Sequence, residues 1–293
     1  MRALILSGGG PLAVAWECGL LAGLAEAGVR IGEPDFILGT SAGAIVGAQL
    51  AGGRDPQAMV AAILDEARGI APPGAQPFDP AALMKLPELF AKAQSRPDAP
   101  AAARVEVGAY ALAQPTESED SSAARFAAMI GTHDWPERGF GCAVVDAEDG
   151  SAHILTRDCG GSIDRAVAAS CSLPGISPPI TIGGRRYIDG GFASAANVDL
   201  VEGYDEMIVA IFGPAGPRRD RISGRLDPQI ARLRAAGVRV LVLWPDDACT
   251  AAIGEQTMDV RRRPAVALSA LVQGRAEAAA VRAFLDGVHL SAG

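Results

Sequence analysis

The chain has 293 residues, 49% of them apolar and only 5% aromatic, so it can bury a large core, and that core must be aliphatic and alanine-rich. A net charge of −8 with no Lys/Arg-rich run excludes a nucleic-acid surface and gives no electrostatic pull toward anionic membranes. Five scattered cysteines without a Cys-x-x-Cys pair exclude a disulfide framework and a zinc knuckle, and read as buried thiols of a reducing compartment. The second residue leads straight into a strand-like run, not a cleavable apolar leader, and no apolar stretch reaches the roughly 18 residues that a bilayer span requires. The cytoplasm is the expected location.

Residues 3–6 read as a buried strand, Ser7-Gly8-Gly9-Gly10 as its sharp exit, and residues 12–27 as a helix closed by Gly28. This opening invites one reading as a degenerate dinucleotide fingerprint, with Asp35 near the place of an acidic ribose ligand. Pro11 opposes it, because it removes a backbone N–H where a pyrophosphate would sit.

A second apolar run then meets Gly39-Thr40-Ser41-Ala42-Gly43, and a helical pattern over 44–51 leaves it. Strand, Gly-x-Ser-x-Gly and helix together make the layout of a nucleophile elbow, which lifts the Ser41 hydroxyl clear of a sheet. Glycines at 39 and 43 keep the turn uncrowded. The bland alternative is a helix-opening turn with Ser41 as an N-cap.

Another helix starts at Asp55-Pro56. Residues 72–136 are rich in alanine and proline, with helical pieces over 81–93 and 99–113, and a polar break at 117–122 that caps a helix over 123–130. This stretch reads as a helical insertion over one end of the sheet, either a cap or a plain subdomain. Strands return at 139–145 and 152–156, a short helix occupies 162–170, and a hairpin joins 180–182 to 186–188 through Gly183-Gly184-Arg185. Two buried strands at 206–212 and 238–244 flank a helix over 226–236, and a long helix over 263–288 closes the chain. Residues 213–224 are basic and Pro/Gly-rich and read as a mobile loop.

A serine nucleophile needs a base. The histidines are His133 in a polar loop, His153 within a hairpin strand and His289 near the C-terminus; an α/β-hydrolase would put its base on a late loop, for which His289 is the one late candidate, against the alternative of a solvated helix-end histidine. Asp189, in Tyr187-Ile188-Asp189-Gly190-Gly191, leaves a strand and is followed by two glycines that let the backbone approach a ligand. It is the other candidate base, against the alternative of a simple loop turn.

Three elements now stand in order: a glycine triplet after the first strand, a Gly-x-Ser-x-Gly elbow on the next, and a distant Asp-Gly-Gly. With the block from Ala168 to Gly175, then Pro178-Pro179, leading to the aspartate, the chain resembles the patatin-like phospholipase family. The resemblance is weakest over 72–136. It implies a three-layer α/β/α fold with a mostly parallel sheet, one domain over 1–293, and a serine acyl hydrolase of lipid esters that needs no cofactor or metal. In that reading Ser41 attacks the ester, Asp189 takes its proton without a histidine, and the amides of Gly8, Gly9 and Gly10 hold the oxyanion. Gly39, Gly43, Gly190 and Gly191 shape the elbow and the loop. The implied partner is a lipid or fatty-acyl ester, met at a membrane surface only in passing. Many members carry a basic residue soon after the triplet, whereas Gly10 is followed here by Pro11-Leu12-Ala13-Val14-Ala15-Trp16-Glu17. Two other readings stand beside it at this point: a catalytically silent protein of the same fold, and a nucleotide-cofactor oxidoreductase.

Overall fold

Alternation along each strand sorts side chains between two cores. On β1 (Arg2–Leu6), Leu4 and Leu6 enter one apolar cluster while Ala3 and Ile5 enter another. The same split recurs on β7 (Glu206–Ala210), where Ile208 and Ala210 face the first cluster and Met207 and Val209 the second. A sheet buried on both faces needs a helical layer on each. The computed structural model, which describes residues 1–31, 34–66, 80–96 and 98–287, has that three-layer arrangement.

The sheet has eight strands. β3 (Gly139–Asp146), β2 (Phe36–Thr40), β1, β7 and β8 (Arg239–Leu243) run parallel in that order. β4 (Ala152–Leu155), β5 (Ile180–Ile182) and β6 (Arg185–Asp189) join antiparallel at the β3 end. One face carries α1 (Pro11–Glu26), α2 (Ala42–Ala51) and α10 (Arg263–Leu285), with α3 (Pro56–Glu66), α6 (Glu119–Ile130), α7 (Ile163–Ser170) and α9 (Asp247–Ile253) packed around them. The other face is covered by α8 (Pro217–Ala235) through Leu226 and Ile230. A third cluster binds α4 (Pro80–Ala93) and α5 (Pro100–Ala113) to Val145, Ile188 and Phe192, at the end of β3 and β6.

Differences from the sequence reading are local. The segment expected to be a mobile loop over 213–224 is ordered from Pro217 as the start of α8. Proline at the first helical position signals a helix start, and Gly216 (φ 108°) lies just outside it. The helix expected from 123 begins at Glu119, because Ser118 caps it by accepting from the Ser121 amide. α9 was not expected at all. The closing helix ends at Leu285, and Val288, His289 and the stretch 72–79 lie outside the described residues.

Candidate active site

Ser41 joins β2 to α2 with φ 53° and ψ −111°, a conformation that an L-residue adopts only under constraint, at a cost of about 1–3 kcal/mol. Its surroundings supply the constraint. The Ser41 amide donates to Ser170 Oγ at 2.9 Å, and Ser170 in turn donates to the Ala143 carbonyl at 2.7 Å. The Ser41 carbonyl accepts from Ala44 N at 2.9 Å and from the Cys171 thiol at 3.2 Å. Both elbow glycines are sterically required. A Cβ at Gly39 would lie 2.4 Å from Ala44 Cα, and one at Gly43 would lie 2.2 Å from the Leu6 carbonyl oxygen.

The registers on β3 explain how Asp189 reaches this serine. β4 pairs with Cys142 to Val145 along one edge of β3. β2, ending at Thr40 opposite Ala143, and β6, ending at Asp189 opposite Val144, must therefore share the other edge. They run toward each other on adjacent residues of one strand, so the residue after β2 and the last residue of β6 meet end to end. Sheet hydrogen bonding thus positions both groups.

Asp189 is 2% exposed. Burial raises its carboxyl to about 6, while the neighbouring Ser41 hydroxyl and the Gly191 amide work in the opposite direction. The Gly191 amide lies 2.7 Å from Asp189 Oδ1. Asn197, with φ 52°, ties the two halves together. Its buried amide donates to Thr40 Oγ1 at 3.0 Å, to the Gly190 carbonyl at 3.3 Å and to the Ser194 carbonyl at 2.8 Å. Asn197 and Ser170 escaped the sequence reading. A lone Asn in Ala195-Ala196-Asn197 does suit a left-handed turn position, and that was the only available signal.

The glycine triplet sits beside the elbow, since a Cβ at Gly8 would be 3.5 Å from Ser41 Cβ. The Gly8 amide, however, donates to the Ala195 carbonyl at 2.9 Å, so Gly8 shapes the wall without offering a free N–H. Among the described residues, the amides of Gly9 and Gly10 have no protein acceptor. The expected donor set of three narrows to these two.

Among the described residues no histidine bonds to Ser41 or Asp189. His133 pairs with Asp164 at 3.2 Å, and His153 contacts Ser151 Oγ at 2.6 Å. Cys171, although close, is no rival nucleophile: burial and the nearby Asp189 charge push its thiol well above the ordinary range. Asp35 accepts from the Arg2 amide at 2.6 Å, at the start of β1, whereas the glycine triplet follows the end of β1. It stands at the wrong end of the sheet to hold a ribose next to that loop, which removes the second anchor of the dinucleotide reading.

The patatin-like phospholipase model matches residues 4–201, which takes in the triplet, the elbow and the Asp-Gly-Gly loop. The chain belongs to this family. No curated protein sequence matches it significantly. Among solved structures it is similar to VipD from Legionella pneumophila, with 15% identity and a TM-score of 0.47 over 98% of this chain and 67% of that one. It is also similar to the type III effector protein ExoU, with 18% identity and a TM-score of 0.40 over 95% of this chain and 53% of that one. A third is ExoU in its heterodimeric complex with SpcU from Pseudomonas aeruginosa, at 14% identity and a TM-score of 0.38. This patatin-like chain spans about half the length of ExoU. Among its described residues, no helix is long and apolar enough to cross a membrane.

Proposed function

We propose that this patatin-like protein is a serine acyl hydrolase of lipid esters that works with a Ser41–Asp189 dyad and no histidine. One observation carries the reading: a strained, half-buried serine stands end to end with a carboxylate whose burial lifts it to about 6. An ordinary aspartate, near 3.9, is too weak a base for a serine hydroxyl, and this one is stronger. Ser41 Oγ attacks the ester carbonyl as its proton passes to Asp189. The tetrahedral oxyanion is held by the Gly9 and Gly10 amides and by the positive end of α2. Asp189 returns the proton to the departing alcohol, leaving an acyl-enzyme. It then deprotonates the water that releases the fatty acid. The chain from 1 to 293 acts as one catalytic domain, with α4 and α5 as a cap beside Asp189. Phe90 of α4 supports the cap role, stacking 4.3 Å from Phe192, three residues after that base.

The direct test is labelling with a fluorophosphonate probe followed by peptide mapping. The label is expected on Ser41, and label on any other serine overturns the assignment. A second test concerns the loop wall. A methyl at Gly8 meets Ser41 Cβ at 3.5 Å and Thr40 at 3.6 Å, both ordinary contacts, and Gly8 has no left-handed φ. Gly8→Ala should therefore fold with a stability change within about 1 kcal/mol, yet fill the space over the nucleophile and cut turnover at least about tenfold. A folded Gly8→Ala enzyme with unchanged turnover would remove this loop from the reacting site. Gly9 is no substitute for that experiment, because its Cβ would strike Phe212 at 2.4 Å and Ala13 at 2.8 Å.

A further inference from the structure

The dyad decides which way an ester lies over Ser41. Its carbonyl oxygen turns toward the Gly9 and Gly10 amides, and its alcohol oxygen lies at Asp189, which returns the proton on departure. The alcohol half therefore leaves the site past the residues that surround Asp189. One of these is the segment after α7, which ties the two reacting groups together. Its Cys171 thiol donates to the Ser41 carbonyl at 3.2 Å, and its Ser172 carbonyl accepts from the Asp189 amide at 3.0 Å. Leu173 follows directly. The amides of Ile176 and Ser177 both donate to the Leu173 carbonyl at 2.9 Å, which folds the segment back on itself.

The side chains gathered at this turn are apolar. Leu173 and Ile176, with Phe90 of α4 and Tyr110 of α5, pack against the cluster that holds Val145, Ile188 and Phe192. All four remain half-buried, so each keeps apolar surface that a ligand can cover. Phe90 Cε1 lies 3.8 Å from the Cβ position of Gly191, whose amide bonds to Asp189. Tyr110 Oη lies 3.1 Å from the Cβ position of Gly175, at the tip of the turn. Among the described residues, the cations of the cap are already occupied. Lys85 pairs with Glu88 at 2.7 Å, Lys92 and Arg96 share Glu106 at 2.8 and 2.7 Å, and Arg104 donates to the Gly150 carbonyl. The glycine loop adds none, since α1 leaves it without a single Lys or Arg and with Leu12 and Ala13 fully buried. An anionic group brought beside Asp189 would lose hydration and meet a buried carboxyl, with no free cation to offset either cost.

We infer that the alcohol half of the substrate is uncharged and apolar and is bound by Phe90, Tyr110, Leu173 and Ile176 beside Asp189, so that neutral esters are cleaved in preference to phosphate-bearing ones. This rests on the hydrolase reading above, and the test separates the two. Hexanoate esters of ethanol, of hexanol and of 2-hydroxyethyl phosphate share one acyl half and differ only in the alcohol. In the wild type, kcat/KM for the hexyl ester should exceed that for the ethyl ester at least about tenfold, and the phosphoethyl ester should fall at least about tenfold below it. Phe90→Ala should lower the hexyl-to-ethyl ratio at least about fivefold. Ile176→Arg, whose long stem can carry its charge toward water, should raise the phosphoethyl-to-ethyl ratio at least about tenfold, a gain that misfolding does not produce. A phosphoethyl ester cleaved as well as the ethyl ester refutes the inference, as does a hexyl ester cleaved no better. A hexyl preference that survives Phe90→Ala unchanged, or a phosphoethyl ratio unmoved by Ile176→Arg, places the alcohol half elsewhere and also refutes it. In each of these cases ethyl hexanoate is still cleaved and the hydrolase reading stands. Cleavage of none of the three esters overturns that reading, and this inference with it.

Discussion

Ser41→Ala is expected to lower ester turnover at least about a thousandfold while the protein stays folded, because the hydroxyl is the only group that can form the acyl-enzyme. Stability supplies an independent check. The serine has φ 53°, and alanine at the same place keeps that strain, so its melting temperature should stay near the wild-type value. Ser41→Gly removes the Cβ that makes this conformation costly. It should be equally inactive and at least as stable as wild type, since relief of about 1–3 kcal/mol outweighs the roughly 1 kcal/mol entropy penalty of glycine. A site shaped for function predicts this separation of stability from activity. An N-capping serine predicts the reverse: loss of the cap would destabilise α2 and leave turnover alone. Residual turnover near the wild-type level in either variant refutes the nucleophile.

How much of this was legible beforehand depends on the range of the interaction. The elbow could be read from sequence because most of its requirements are local: a strand, a glycine at 39 that avoids Ala44, and a helix lie within a few residues, and only the need for Gly43, set by Leu6 on β1, is distant. Asp189 could be named as a base, but its meeting with Ser41 follows from the shared edge of β3, which no spacing encodes. Asn197, Ser170 and the Ala195 carbonyl act across the fold, and each is an unremarkable residue type in a loop or helix end. The Gly8 amide looked available for the same reason, since its acceptor is distant in sequence. Only the first turns of α8 differ from the sequence reading, because Pro217 and Gly224 mask the start, at Ile222, of a stripe that continues through Leu226, Ile230 and Leu233 in the helix expected over 226–236.

The base assignment carries the other large effect. Asp189→Asn preserves shape and can still accept from the Gly191 amide, but it cannot take a proton, so acylation should fall at least about a thousandfold. In the wild type, kcat/KM should rise with pH through an apparent value of about 6, as Asp189 ionises. A reference carboxylate near 3.9 would have left a clear gap from a histidine near 6.5, and burial closes that gap. The pH profile alone therefore no longer distinguishes dyad from triad, and the variants must do so: His133→Ala and His153→Ala should keep most activity. Stability gives a further signature whose sign is determined by the raised value. The folded state holds the Asp189 proton more tightly than the unfolded chain, so this group favours folding below about pH 4, and that contribution disappears as pH rises to about 6. At pH 8 the wild type carries an ionised, buried carboxylate costing about 2–3 kcal/mol, and Asp189→Asn does not. The variant should thus melt higher than wild type at pH 8, with the advantage shrinking toward pH 4. An active Asp189→Asn enzyme, together with loss of activity in one histidine variant, would replace the dyad with a triad.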